Sequence, residues 1–151
     1  VGKDICKIMK TSSQKYRIKI KQKRKEADRI WQQIVQKLHP ICEGCKKGKT
    51  QEKTQVGHHF IEKSLSNALR YDIKNGIGLS NKCHFLLHTR SDGGIYANII
   101  LNRGQKWVDY IEQNRKKLIK TNLKWYENHI ERLTKELLKI EKIYESKRPI
   151  R

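Results

Sequence analysis

No run of the 151 residues stays apolar for the ~18 positions that a membrane-spanning helix needs. No secretory signal is visible either. A spanning protein is thereby excluded, and the expectation is an intracellular protein without a membrane partner. No internal repeat is visible. Apolar residues are in short supply, 36% hydrophobic against 33% charged. That suffices for one small core but not a deep one, and the length fits one domain with helical extensions. The first residue is Val1, not Met, as in a fragment or a processed chain.

Acidic residues are the scarcest relative to their counterparts: 15 Asp+Glu face 35 Lys+Arg, a net charge of +20. The excess is uneven. Residues 1–53 carry 16 bases against 5 acids, residues 54–104 carry 6 against 3, and residues 105–151 carry 13 against 7. A polyanionic partner follows, because neutralising phosphates releases their counterions. An anionic membrane surface would call for a basic amphipathic helix with a strong aromatic face, which is only partly present.

Four cysteines, Cys6, Cys42, Cys45 and Cys83, would suggest disulfides in a small secreted protein. Without a signal peptide, and with Cys42-Glu-Gly-Cys45 at knuckle spacing, intracellular metal binding is the better reading. Cys6 falls in a loosely ordered segment, 1–13, and is expected as a free thiol.

Over residues 14–38, Ala27, Ile30, Trp31, Ile34, Val35 and Leu38 recur at three- and four-residue steps, which predicts a helix ended by Pro40. Alternation over 16–21 leaves a strand open there. Residues 41–53 read as a turn-rich loop, 54–60 as a strand, and 61–76 as irregular chain ending in an Asn75-Gly76 turn. A second strand is expected at 77–79, a short helix at 81–89, and a break at 91–94. Helices follow over 95–101, 105–120 and 122–146. The last places Leu123, Tyr126, Ile130, Leu133, Leu137, Ile140 and Tyr144 on a coiled-coil-like seam, which could bury against the 14–38 helix or a second copy of itself. Trp31, Trp107, Trp125 and Tyr126 are expected in the core, and His39 and His129 as ordinary packed or surface histidines.

The remaining histidines are patterned. His84 and His88, four apart on a short helix, project from one face and can share a metal ion. His58 and His59 adjoin on a strand and point to opposite faces. A hairpin followed by a helix would bring one strand histidine to the helical pair and leave the other on the far side. Ligands with open positions, plus an imidazole able to take a proton from water, are the parts of a hydrolytic metal site.

"GHHF" at 57–60, "NG" at 75–76 and "CHFLLH" at 83–88, with the flanking "CEGC", resemble the HNH endonucleases and their ββα-metal fold. More broadly, "ALRYDIKNGIGL", "CHFLLH" and "RGQKWVDYIEQ" are similar to phage-encoded HNH proteins of the NinG/Rap recombination-nuclease type. The resemblance implies His58, His84 and His88 as metal ligands, His59 as general base and Asn75 as the holder of the loop that orients it. His59, Asn75 and His84 are the three residues that name the motif. It further implies metal-dependent hydrolysis of DNA phosphodiesters to 5′-phosphate and 3′-hydroxyl ends, in phage recombination or DNA processing inside a bacterial host. The cation would be Mg²⁺, Mn²⁺, Zn²⁺ or Ni²⁺. Many HNH relatives also carry a structural zinc on two C-x-x-C knuckles. Cys42 and Cys45 supply the first, but the second keeps only Cys83 because Ser80 stands three residues before it. Three cysteines remain for that zinc, with water or His39 as a fourth ligand.

The expectation is thus an α+β chain: a basic helical arm over 1–40, a ββα-metal nuclease core with its Cys knuckle over 41–94, and a helical region over 95–151. The substrate is double-stranded or branched DNA, with RNA also compatible, and the C-terminal helix offers a homodimer contact. Lys19, Lys21, Lys23 and Arg24 are candidate nucleic-acid contacts. Arg70 could touch a phosphate or pair with a carboxylate. The alternatives are a non-catalytic zinc-containing DNA-binding module and a helical assembly factor.

Overall fold

In the computed structural model, residues 11–46, 51–90 and 93–147 are described. The expectation for Cys6 lies outside them, as do Ser91 and Asp92 of the break expected over 91–94, whereas Gly93 and Gly94 begin a helix and do not break the chain. The architecture is α+β and mostly helical: α1 (Ser12–Leu38), β1 (Val56–His59), β2 (Gly76–Leu79), α2 (Asn81–Arg90), α3 (Gly93–Arg103), α4 (Gln105–Arg115) and α5 (Leu123–Ser146). No helix among the described residues is long and apolar enough to cross a membrane.

α1 begins at a capping box: the Thr11 hydroxyl accepts from the Gln14 backbone N–H, and the Gln14 side chain accepts from that of Thr11. No proline or glycine interrupts it before Pro40, so the alternation over 16–21 yields helix, not strand. α5 lies parallel to it. The Leu123 N–H donates to the Tyr16 hydroxyl at 3.5 Å near the start, and the Tyr144 hydroxyl donates to the Lys37 carbonyl near the end. Tyr126, Leu133 and Ile140, seven residues apart, are buried with Ala27, Ile30, Trp31, Ile34 and Val35. The seam is therefore packed against α1 of the same chain.

β1 and β2 form an antiparallel pair in which His59 lies opposite Gly76 and His58 opposite Ile77. The turn expected at Asn75-Gly76 falls one step earlier, and the strand already begins at Gly76. Asn75 closes a short 3₁₀ turn, Ile73–Asn75, and Gly76 opens the strand with extended angles. Its glycine answers to packing, since a Cβ there would stand 2.3 Å from a Val35 methyl on α1. A Cβ at Gly78 would stand 2.5 Å from the His39 carbonyl oxygen. The C-terminal half of α1 therefore presses directly on the sheet.

A second apolar cluster gathers Ile77, Leu79, Cys42, Cys83, Leu87, Ile95 and Ile99 on the side of the sheet toward α2 and α3. Gly104, at φ +81°, turns the chain from α3 into α4. α4 stops at Arg115 rather than running to 120. The Asn114 carbonyl accepts from the N–H groups of both Lys116 and Lys117, which tightens and ends the last turn. Asn122 then caps α5, its side chain accepting from the Trp125 N–H at 2.8 Å.

Candidate metal centre and adjoining cleft

Side-chain alternation along β1 divides the two adjacent histidines. His58 turns toward α2, where its ring lies 5.2 Å from each of the rings of His84 and His88. Those two are one helical turn apart, with their Nε2 atoms 3.1 Å from each other. One ligating nitrogen from each of the three lies within 4.8 Å of the others, so the trio could hold a metal ion. Metal–nitrogen bonds of about 2.0–2.1 Å place neighbouring ligand atoms about 2.9–3.4 Å apart, and the His84–His88 separation falls in that range. Burial first, then the neighbouring imidazoles, brings His58 down to about 4. Burial, then His88, lowers His84 as well. These two rings are thus neutral at pH 7 and offer lone pairs to a cation.

His59 turns the other way, onto α1. It is only 9% exposed. Its ring stacks on Trp31 with centroids 3.7 Å apart and planes 8° from parallel. Nε2 lies 2.8 Å from the carbonyl oxygen of Arg70. A carbonyl can only accept, so the hydrogen sits on Nε2 and Nδ1 keeps its lone pair. Burial outweighs the Arg70 carbonyl and Asp28, and holds the ring at about 4, neutral at pH 7. Although the two histidines face opposite sides, both line one cleft of about 520 Å³, with His84, His88, Gln32, Glu62, Lys63 and Ser64.

Asn75 is fully buried. Its amide donates to the carbonyls of Ile61 (2.9 Å) and Leu69 (3.2 Å), and its oxygen accepts from the Ile61 N–H (2.8 Å). It thereby ties the chain just after His59 to the chain just before Arg70, whose carbonyl fixes the His59 ring. Arg70 does not reach the surface: it is 8% exposed. One guanidinium nitrogen, Nη2, donates to both oxygens of Asp28, at 3.0 and 2.9 Å, and Nε donates to the Tyr71 hydroxyl. Of its two sequence readings, carboxylate pairing is the one realised, with Asp28 of α1. Lys19, Lys21 and Arg24 are exposed along α1, whereas Lys23 is half-buried and paired with Glu26 at 3.0 Å.

The Trp31–His59 stack and the pairing of Asp28 with Arg70 and Tyr71 escape the sequence reading because they join residues 28 or more positions apart. Local spacing carries no sign of them, and Trp31 is legible only as a core residue. Gln32, Glu62, Lys63 and Ser64 carry no spacing pattern either.

The cysteines gather elsewhere, at the first turn of α2. The Sγ atoms of Cys42, Cys45 and Cys83 lie within 4.8 Å of one another and could also hold a metal ion. Cys45 and Cys83 are 3.9 Å apart. Burial raises the Cys42 thiol, but hydrogen bonds from Ser80, Gly44 and Cys45 outweigh it and leave a net lowering. Burial, opposed in part by Ser80 and reinforced by Cys42 and Cys45, pushes Cys83 up to about 12. His39 does not join them. It lies 3.7 Å from Glu43 and takes Arg103 Nη2 at 3.2 Å on Nε2. No family model, no curated protein and no solved structure matches this chain.

Proposed function

We propose that the chain is a metal-dependent endonuclease of the HNH type, its β1–β2–α2 unit serving as a ββα-metal core and DNA as its substrate. One observation carries the reading. Three imidazoles converge as a ligand set, and a fourth, next in sequence, enters the same cleft with its tautomer fixed and Nδ1 free. Ordinary packed histidines do not assemble in this division of labour.

A divalent cation on His58, His84 and His88 would supply Lewis acidity, easing charge build-up on the phosphate and the departing 3′ oxygen. His59 accepts a proton from the attacking water at Nδ1. The Arg70 carbonyl, hydrogen-bonded to Nε2–H, steadies the imidazolium that results. Trp31 keeps the ring from swinging out of the cleft, and Asn75 keeps its acceptor in place. The exposed bases of α1, Lys19, Lys21 and Arg24 among them, add sequence-independent attraction for phosphates. Three imidazoles suit Zn²⁺ or Ni²⁺ for affinity, whereas Mg²⁺ or Mn²⁺ suits turnover.

The deep burial of His59 favours a second reading, in which it is a core residue of a non-catalytic, metal-containing nucleic-acid-binding module. Nicking of supercoiled plasmid under Mg²⁺, Mn²⁺, Zn²⁺ and Ni²⁺ separates the two. The nuclease reading expects cleavage by the native chain and a rate at least about 10²-fold lower in a folded His59→Ala variant. Cleavage by both at similar rates, or by neither under any of the four ions, would sink it.

A further inference from the structure

We propose that the α4–α5 linker and the 64–67 loop form a second nucleic-acid-binding surface, which takes the strand as it leaves the histidine cleft. Lys117 and Lys120 meet backbone phosphates, and Leu118 and Leu65 meet the apolar face of an adjoining sugar or base. Nucleic acid as the ligand rests on the nuclease reading; what is added is where the strand runs.

Two cavities meet at one residue. Ser64 lines the cleft of His58, His84 and His88, and it also lines a second recess of about 390 Å³. The loop contributes Leu65 and Asn67 to that recess, and the linker contributes Arg115, Lys117, Leu118 and Lys120. The Asn67 side-chain amide donates to the Ile119 carbonyl at 3.2 Å, which joins linker to loop. A strand that leaves the histidine cleft past Ser64 therefore passes onto the linker.

Charge selects the occupant. From Gln113 to Tyr126 the chain holds Arg115, Lys116, Lys117, Lys120 and Lys124, and no acid. Of the four that precede α5, only Arg115 is in an ion pair among the described residues, with Glu112 at 2.9 Å. Lys117 Nζ donates to the Asn114 side-chain oxygen at 2.7 Å, a neutral partner that leaves its charge uncancelled. Bases at the end of α4 also complement the helix dipole, which accounts for Arg115 and Lys116. Lys120 lies beyond that reach. Lys124 sits in the first turn of α5, which holds no acid and where the dipole disfavours a cation.

Leu118 is 100% exposed and Leu65 74%. A lone exposed leucine is ordinary, but here two from separate segments line one recess among uncancelled lysines. Aliphatic side chains so placed suit an opened base step. An anionic membrane also accepts lysines around a leucine. A recess that continues from the histidine cleft fits a strand better than a sheet of headgroups.

Fluorescence anisotropy of the full chain with a labelled DNA duplex, without added divalent ion and over a range of salt, reads binding apart from cleavage. Lys117→Gln/Lys120→Gln should lower the log–log salt slope by about 2, the share of two phosphates, and weaken binding about tenfold or more. Leu118→Ala should weaken binding about fivefold with the slope unchanged. Lys135→Gln/Lys139→Gln, exposed positions farther along α5, should keep the native slope. Circular dichroism checks that each variant is folded. Native affinity and slope in the linker variants overturn the proposal, as does a native chain that binds no DNA. An equal drop in slope for Lys135→Gln/Lys139→Gln overturns it too, because the attraction would then belong to the whole surface. So does binding to phosphatidylserine vesicles that Leu118→Ala abolishes while DNA binding stays intact. Linker-dependent binding without nicking would remove the nuclease reading alone, and nicking with indifferent linker variants would remove this surface alone.

Discussion

On the side of β1 that faces α2, His58 meets two further imidazoles and an open cleft. On the side that faces α1, His59 lies flat against Trp31 with its Nε2 tied to a backbone carbonyl. The same side chain, in consecutive positions, is thus treated in two ways. A ligand set needs lone pairs converging on one point and some freedom to adjust. A base needs one fixed tautomer and one fixed direction, and packing supplies both. Strand alternation gives the two settings from one dipeptide, and one cleft reaches both faces, as the proposed nuclease reading requires.

The widest separation between the faces should appear when each histidine is removed. In the nuclease reading His59→Ala should lose about 10²–10⁴-fold in nicking rate, the usual share of general-base help, while retaining its metal. His58→Ala should lose the metal, and with it the rate. Metal content by mass spectrometry beside plasmid nicking reads both. If His59→Ala sheds metal as readily as His58→Ala, the division between the faces is wrong.

Asn75→Ala attacks only the α1 side. Three hydrogen bonds of a fully buried amide vanish, and the Ile61 N–H, Ile61 carbonyl and Leu69 carbonyl lose their partners. A loss of about 3 kcal/mol is expected in urea unfolding. The His58–His84–His88 trio should still take Co²⁺ in whatever fraction remains folded. Unchanged stability would show that the loop holding the Arg70 carbonyl does not depend on this clamp.

A smaller effect is expected from Gly76→Ala. The new methyl meets Val35 at 2.3 Å, directly across the strand pair from His59. Overpacking of this kind costs about 1–3 kcal/mol. Pairing it with Val35→Ala should restore part of the loss, because the space then exists. No recovery in the double variant would mean that backbone strain, not the α1 contact, fixes this glycine.

How far the sequence reveals these features depends on the distance over which each is determined. Helix α1 is legible to within two residues because its period and stop are local, the Ala27–Val35 stripe and Pro40. The pairing of His58 with His84 and His88 needs only a hairpin-then-helix order and strand alternation, and motif spacing conveys both. Arg70 was open between phosphate and carboxylate because its partner, Asp28, lies 42 positions away, and only the packed fold joins them. Asn75-Gly76 signals the nearby turn but, for a related reason, not the roles of its two residues. Asn75 is there for its buried amide and Gly76 for the pressure of Val35, neither visible in the dipeptide. The end of α4 at Arg115 turns on which carbonyl takes the last N–H groups, a choice that helical periodicity does not encode.

The smallest expected effect concerns His129, a packed histidine on the α1–α5 side with no ligand set around it. Its ring lies 4.4 Å from that of Trp125 and 5.2 Å from that of Tyr71, and Arg132 Nη2–H donates to Nδ1 at 3.1 Å. Burial first, then Arg132, lowers it to about 4 from 6.5. Between those values the unfolded chain binds the proton and the folded chain does not. The stability it contributes is therefore complete above pH 6.5 and lost as pH falls toward about 4. His129→Gln should flatten that acid slope by about 1 kcal/mol, a figure discounted for partial exposure, in thermal melts of chelator-treated protein. Metal content and nicking should not change. His58 and His59 are lowered by burial as well, so a residual slope should persist in the variant. A slope that His129→Gln leaves untouched would mean that this ring can charge where it stands. Packing would then not suffice to keep a histidine neutral on this side of the molecule, and the same account of His59 would lose its support.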